Sequence, residues 1–139
     1  MASLRHIFLL LVAAWTGAQA QPPRVERFAA GASPYTAFTQ DDRGFLYAAG
    51  PNGLLEYDGV RWRTVTTASQ PTTLAWHAPS TRLYVGGNNT VGYLERNPAG
   101  QVQYRDLPLN ETGAGITHSA AITDGLYFAA GKQIGRAHV

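Results

Sequence analysis

From Tyr35 onward the chain alternates short apolar runs with clusters of Gly, Pro, Asn, Asp and Ser. No stretch in this region keeps the 3.6-residue rhythm of a helix, so the pattern predicts strands and turns throughout. Tyr35 to Gln40 reads as a strand, Asp41-Asp42-Arg43-Gly44 as a turn, and Phe45 to Ala49 as the next strand. Asp bonds its own backbone and Gly tolerates positive φ, which suits both to turns. Pro51-Asn52-Gly53 and Asp58-Gly59 are hairpin signals on either side of Leu54 to Tyr57. Arg61 to Thr66 alternates, with Trp62 and Thr64 on one side and Arg61, Arg63 and Val65 on the other, as a half-exposed strand should. The same order returns. Thr72 to His77, Arg82 to Val85, Val91 to Glu95 and Val102 to Leu107 are strands, and so are Ile116 to Ile122 and Leu126 to Ala130.

Three segments are near copies: Leu46-Tyr47-Ala48-Ala49-Gly50, Leu83-Tyr84-Val85-Gly86-Gly87 and Leu126-Tyr127-Phe128-Ala129-Ala130-Gly131. Their Leu-Tyr pairs stand 37 and 43 residues apart. Short strands recurring at about 40–50 residues predict a β-propeller with one four-stranded antiparallel blade per repeat. The expected fold is all-β: about two and a half blades of an incomplete propeller, at residues 35–67, 72–107 and 115–133. Propellers close with roughly 4–8 blades. A partial ring leaves blade faces and edges without neighbours, so the chain alone is not expected to be a stable monomer.

The two ends read differently. Met1 to His6, with Arg5 as its positive charge, precedes the apolar run Ile7 to Trp15 and the sequence Thr16-Gly17-Ala18-Gln19-Ala20. This is the pattern of a secretory signal peptide over residues 1–20, with Ala18 and Ala20 as the small residues beside a cut before Gln21. The apolar run is too short for a spanning helix, which needs about 20 residues. Residues 21–34 form a leader loop that begins Gln21-Pro22-Pro23. Ile134-Gly135-Arg136-Ala137-His138-Val139 matches what one reading frame of a common short-read sequencing adapter encodes, and Gln133 supplies the codon ending that must precede it. These six residues are expected to be a scar foreign to the protein and are set aside in assigning blades. The sequence has no cysteine, which excludes disulfides, lipid attachment at the N-terminus and Cys-based metal sites.

Charge narrows the partners. Of 11 Lys+Arg against 9 Asp+Glu, Arg5 and Arg136 fall in the two end segments, so the rest balances. Nucleic-acid binding, which needs a clustered basic face, has no support. His77 and His118 each lie near the end of a predicted inner strand, where the mouth of a propeller channel opens. They are the candidate ligand contacts, with a core or loop role as the other reading. Glu56 and Asp58 share one side of a strand; they read as an outward Glu and a turn Asp rather than an acid–base pair. Asp41-Asp42 likewise reads as turn chemistry. Gly125 to Lys132 lacks the spacing and the Ser or Thr of a phosphate loop, and no Gly-x-Ser-x-Gly elbow is present. Asn88-Asn89-Thr90 and Asn110-Glu111-Thr112 match the glycosylation sequon but fall in predicted loops rich in such residues. The aromatics Tyr47, Tyr57, Trp62, Trp76, Tyr84, Tyr93 and Tyr127 recur at strand positions, for packing between blades or as a glycan platform. No catalytic residue, metal ligand set or cofactor site is expected in this segment.

The runs Ala37 to Tyr47 and Asn52-Gly53-Leu54-Leu55-Glu56-Tyr57-Asp58-Gly59-Val60-Arg61-Trp62 resemble the two-component regulator propeller repeat. Arg82 to Gly87 with Val91 to Leu94 resembles the next blade of the same family. The similarity is to the subgroup that carries a triple-tyrosine domain after the propeller. The resemblance implies the extracytoplasmic sensor half of a bacterial membrane signalling protein, with this chain as an N-terminal fragment. The output module implied is most often a histidine kinase, sometimes a diguanylate cyclase or DNA-binding regulator. It implies an extracytoplasmic ligand, a membrane-anchored parent at the periplasmic face of the inner membrane and a homodimer. The alternatives are a secreted or periplasmic glycan- or protein-binding propeller, and a polysaccharide-degrading enzyme.

Overall fold

The computed structural model describes Arg24, Arg27, residues 34–109 and residues 114–138. The signal peptide, its cleavage residues Ala18, Ala20 and Gln21, most of the leader and the Asn110 sequon lie outside the described residues.

The described chain is all strand and turn. The first sheet joins β1 (Ala37–Gln40), β2 (Leu46–Gly50), β3 (Gly53–Tyr57) and β4 (Trp62–Val65). The second joins β5 (Pro71–His77), β6 (Arg82–Gly87), β7 (Val91–Arg96) and β8 (Val102–Leu107). The third joins β9 (Ile116–Ile122), β10 (Gly125–Ala130) and β11 (Gln133–Ala137). Each sheet is an antiparallel meander in sequence order, as short hairpin connections dictate. The expected strand order holds, with bounds moved by a residue or two. One expectation needs correction. The third blade was read as stopping at Gln133, but Gln133–Ala137 forms β11, which pairs along the whole of β10 from Ala130↔Gln133 to Leu126↔Ala137. Five consecutive extended residues without proline, next to an open sheet edge, satisfy that edge whatever their origin.

Turn chemistry sets the hairpins. The Asp41 carboxylate accepts the backbone N–H groups of Arg43 at 3.0 Å and Phe45 at 2.9 Å, closing the first turn. Gly53 sits at φ 107°, which Asn52-Gly53 provides without strain.

The sheets stack face to face, with β1 against β5 and β5 against β9. Two apolar layers fill the interfaces. Tyr47, Ala49, Leu54 and Val65 of the first sheet meet Leu74, Leu83, Val85 and Leu94 of the second. Ala75, Tyr84 and Val91 of the second meet Ile116 and Leu126 of the third. Successive strand residues point to opposite faces, and the Leu-Tyr pair exploits this. Leu83 packs back toward the first sheet while Tyr84 packs forward toward the third. Burying each such side chain stabilises the stack by about 1.5–3 kcal/mol.

Close packing also fixes a glycine. A Cβ on Gly92 would stand 2.2 Å from Cζ of Tyr104 and 2.5 Å from the Arg105 carbonyl oxygen. A ring can turn away, but the β8 backbone cannot. Gly92→Ala is therefore expected to lower stability by about 1–3 kcal/mol, measured as a shift of the urea midpoint at fixed protein concentration. Gly115→Ala, whose Cβ would meet only Asn88 Oδ1 at 3.4 Å, should shift it far less. Equal shifts would refute the packing argument.

Candidate functional site

A repeated device marks one end of the inner strands. The Thr36 hydroxyl reaches the Ala49 carbonyl of its own sheet at 3.3 Å and the Thr72 carbonyl of the next at 3.1 Å. The Thr72 hydroxyl does the same, reaching Gly86 at 3.1 Å and Ile116 of the third sheet. The Thr117 hydroxyl reaches Ala129 at 3.3 Å. In β5 and β9 the threonine falls at a register shift, between Pro71 and Thr73 and opposite the break between Ala129 and Ala130. A bulge re-aims a side chain, and here it turns a hydroxyl toward the neighbouring blade. A hydroxyl has one hydrogen, so the two carbonyls share it. These contacts align the starts of the three inner strands.

That alignment separates the two candidate histidines. His118 directly follows Thr117 and is exposed, with Nδ1 3.1 Å from the Thr117 hydroxyl. His77 lies five residues beyond Thr72, roughly 16 Å further along a strand. It is 3% exposed, with Nδ1 2.7 Å from the Ser80 hydroxyl, its ring edge against Tyr84, and Nε2 buried without a partner. The structure does not bring the two histidines together. Among the described residues, no three His, Cys, Asp or Glu side chains converge as a metal site would require.

Polar side chains do converge elsewhere, in the seam between the first and second sheets. Glu56 was read as facing outward; it is 2% exposed and turned inward. It shares a strand face with Leu54, and its counter-charge comes from the next blade, where Arg96 at the end of β7 donates to its Oε2. The same Arg96 nitrogen lies 3.4 Å from the Tyr47 hydroxyl, which donates to Asp41 Oδ2 at 3.2 Å. Arg43 closes the chain at 2.7 Å from Asp41 Oδ2. The Arg43 and Arg96 guanidiniums lie 5.0 and 4.9 Å from the centre of the Phe45 ring, in cation–π range. Asp41 is thus a turn residue, as read, and also the end of an inter-blade network. Asp58 keeps to its turn, accepting the Val60 and Arg61 N–H groups at 2.9 Å each.

The electrostatics follow from burial and partners. Burial pushes the Asp41 carboxyl up, but hydrogen bonds from Arg43 and the Phe45 backbone outweigh it and hold the group below its ordinary value. Burial first, and the nearby Glu56 charge second, raise the Tyr47 phenol, so it stays protonated and donates. The cluster is a fixed clamp rather than a proton-transfer pair. Beside it opens a groove of about 460 Å³, lined by Trp76, Arg43, Arg82, Glu95 and Arg96 among others. An aromatic face flanked by guanidiniums and a carboxylate suits a small polar ligand, and this groove is the candidate site. Sequence reasoning named Trp76 as a platform residue but missed Arg96. The Leu54-x-Glu56 alternation offered only an ambiguous signal, because Leu55 and Tyr57 make the other strand face equally apolar.

Two outcomes test the clamp. Arg96→Met leaves the buried Glu56 carboxylate with only Arg63 of its own sheet, 3.9 Å away, and is expected to cost about 3–5 kcal/mol, much of it recovered in the double variant with Glu56→Leu. Urea unfolding of the cycle checks this, and additive losses would refute the pairing. Asp41 is held below its ordinary 3.8, so its contribution is present above that pH and is lost as pH falls below it. Asp41→Asn should flatten the fall in urea midpoint between about pH 4 and pH 2; an unchanged acid slope would refute it.

No family model matches the chain, and no curated protein matches it. Among solved structures the chain is similar to virginiamycin B lyase from Staphylococcus aureus, with a TM-score of 0.55 and 18% identity over 73% of this chain. It spans only 37% of that chain's length. The likeness shows the fold alone: the three sheets are blades of a β-propeller, present here as an incomplete set.

Proposed function

We propose that the chain is part of the ligand-sensing propeller of a bacterial transmembrane signalling protein, a two-component sensor histidine kinase. The observation that carries this reading is the Asn52 to Trp62 run, which resembles the two-component regulator repeat and forms the β3–β4 hairpin of the first blade. Its Asp58 closes the turn through two backbone hydrogen bonds, and its Glu56 holds the neighbouring blade through Arg96. The repeat's polar residues therefore have structural work that explains their presence in it.

In this reading the segment does no chemistry. In support, several carboxylates are tied to arginines: Asp41 to Arg43, Glu56 to Arg96, Asp58 to Arg63, Glu95 to Arg105 and Asp124 to Arg136. Catalysis belongs to a kinase or cyclase output module of the parent. In this reading the signal-peptide pattern over residues 1–20 supports export, with the propeller at the periplasmic face of the inner membrane in a membrane-anchored homodimeric parent. The ligand class favoured by the Trp76 groove is a glycan, because a sugar offers an apolar face to the ring and hydroxyls to Arg43, Arg82 and Glu95. No nucleic acid is a partner of this segment. Among the described residues no helix is long and apolar enough to cross a membrane, so the anchor of this reading lies elsewhere in the parent.

The test is the source gene read beyond codon 133. The expected result is further blades, a triple-tyrosine segment, one apolar stretch of about 20 residues and a kinase or cyclase. An open reading frame that ends after the propeller with no span would overturn the reading in favour of a secreted binding or enzymatic propeller.

A further inference from the structure

Turns from the first two blades wall the Trp76 groove, and the two turns are built alike. Gly44 and Thr81 each stand two residues before a Leu-Tyr pair. Each donates its N–H to the carbonyl three residues back, Gly44 to Asp41 and Thr81 to Ala78, at 3.1 Å in both. Both lie in the left-handed region, Gly44 at φ 85° and Thr81 at φ 51°. Glycine takes that conformation freely, whereas a branched Cβ is strained there. The first blade thus shows which residue the turn favours, and the second blade departs from it. Thr81 is exposed and lines the groove, so its side chain fills no core that would offset the strain. Strain held at a binding groove points to a role there.

The hydrogen bonds of the second turn define what its wall offers. The Ser80 N–H points at His77 Nδ1 from 3.3 Å, and the Ser80 hydroxyl lies 2.7 Å from the same nitrogen. Nδ1 therefore accepts and the Ser80 hydroxyl donates. The Thr81 hydroxyl donates to the Ser80 carbonyl at 2.8 Å. Each hydroxyl has one hydrogen, and both hydrogens are spent inside the turn. What these two oxygens still offer a ligand is lone pairs. Asp42 and Glu95 add carboxylates to the lining, and these also only accept. The donors are guanidiniums. Those of Arg43 and Arg96 are already held by the Asp41 and Glu56 carboxylates.

We propose that the groove selects an uncharged sugar over an acidic one and that Thr81 is a specificity-determining residue for that choice. A sugar hydroxyl both donates and accepts, so it meets the acceptor wall and the guanidinium N–H groups at once. A uronate carboxylate only accepts. Among the oxygens of Ser80, Thr81, Asp42 and Glu95 it faces lone pairs and like charge, beside guanidiniums whose charge is already matched. Trp76 takes the apolar face of the ring. The selectivity rests on the reading of this groove as a glycan site. The groove lies between the first and second sheets and involves neither outer blade face.

The experiment is a ligand-observed NMR titration of the full chain. The probes are the methyl glycosides of glucose, galactose and mannose, each paired with the glycoside of its uronic acid, which differs only in the group outside the ring. At least one neutral glycoside is expected to bind, about tenfold tighter than its uronic partner. Thr81→Gly copies the turn of the first blade. Its urea midpoint is expected to hold or rise, because relief of strain offsets the extra freedom of glycine in the unfolded chain. Its affinity for the neutral glycoside is expected to fall about fivefold, with the preference over the uronic partner narrowed. Thr81→Ser keeps the hydroxyl and is expected to retain most of both. Failure of every probe to bind would overturn the glycan reading, and this inference with it. A uronic glycoside that binds as tightly as its neutral partner would overturn the selectivity while leaving the glycan reading standing. Full affinity and preference in Thr81→Gly, or a lowered urea midpoint, would overturn the role of Thr81.

Discussion

The constraint on which everything else depends is that each sheet is apolar on both faces. A sheet in a two-layer sandwich can leave one face to water. A blade cannot, because the alternation of strand side chains sends Leu83 one way and Tyr84 the other, and both are buried. Stability in such a stack is carried by neighbour contacts, and no blade holds a core of its own. The buried Leu, Val and Tyr side chains therefore lie between sheets, in two layers, with small residues where neighbouring side chains press in. Gly86 is one such place: a Cβ there would meet Thr73 Oγ1 at 2.4 Å and Ile116 Cγ2 at 2.7 Å.

Against that apolar background the Glu56–Arg96 pair is the costly element. Taking both ions out of water costs several kcal/mol each, repaid only with good geometry and further hydrogen bonds. The seam supplies these: Tyr47 bridges the guanidinium to Asp41, Arg43 finishes the chain, and the Phe45 ring is in cation–π range of both guanidiniums. Its effect is on register. An apolar layer tolerates sliding of one blade on another, but a carboxylate buried to 2% must meet its cation in one place. The second seam does without such a pair. Tyr93 takes the place equivalent to Glu56, with the Arg82 guanidinium 4.5 Å from its ring.

The fold was legible because its signals are local. Turn residues at Asp41 to Gly44, Asn52-Gly53 and Asp58-Gly59 punctuate the strands, and the Leu-Tyr spacing gives the blade period. The candidate site was not, for a physical reason. Glu56 lies between Leu55 and Tyr57, so either strand face reads as apolar and its inward turn is undecided by pattern. Its partner is 40 residues away in another blade, and only the stacking angle brings the two together. The histidines are ambiguous for a different reason. His77 and His118 are both near strand ends, but the direction of the inner strands, set by the threonine contacts, puts those ends apart. The β11 strand was excluded on grounds of origin, which an open sheet edge does not sense.

The same reasoning explains how far a structural likeness reaches. The inter-blade layers, the bulged threonines and the hairpin turns are what stacking of blades requires, and they tolerate any sequence that keeps alternation and small residues at the close approaches. A likeness at 18% identity is therefore a likeness of fold alone. Chemistry in a propeller depends instead on side chains at loop tips and the channel mouth, where stacking places few demands. In this chain the polar residues of the first seam are engaged with one another: Asp41 with Arg43, Glu56 with Arg96, and Tyr47 between them. What stays accessible beside them is the half-buried Trp76 and the polar rim of its groove. That surface, an aromatic face with a polar rim, has the character of a recognition surface.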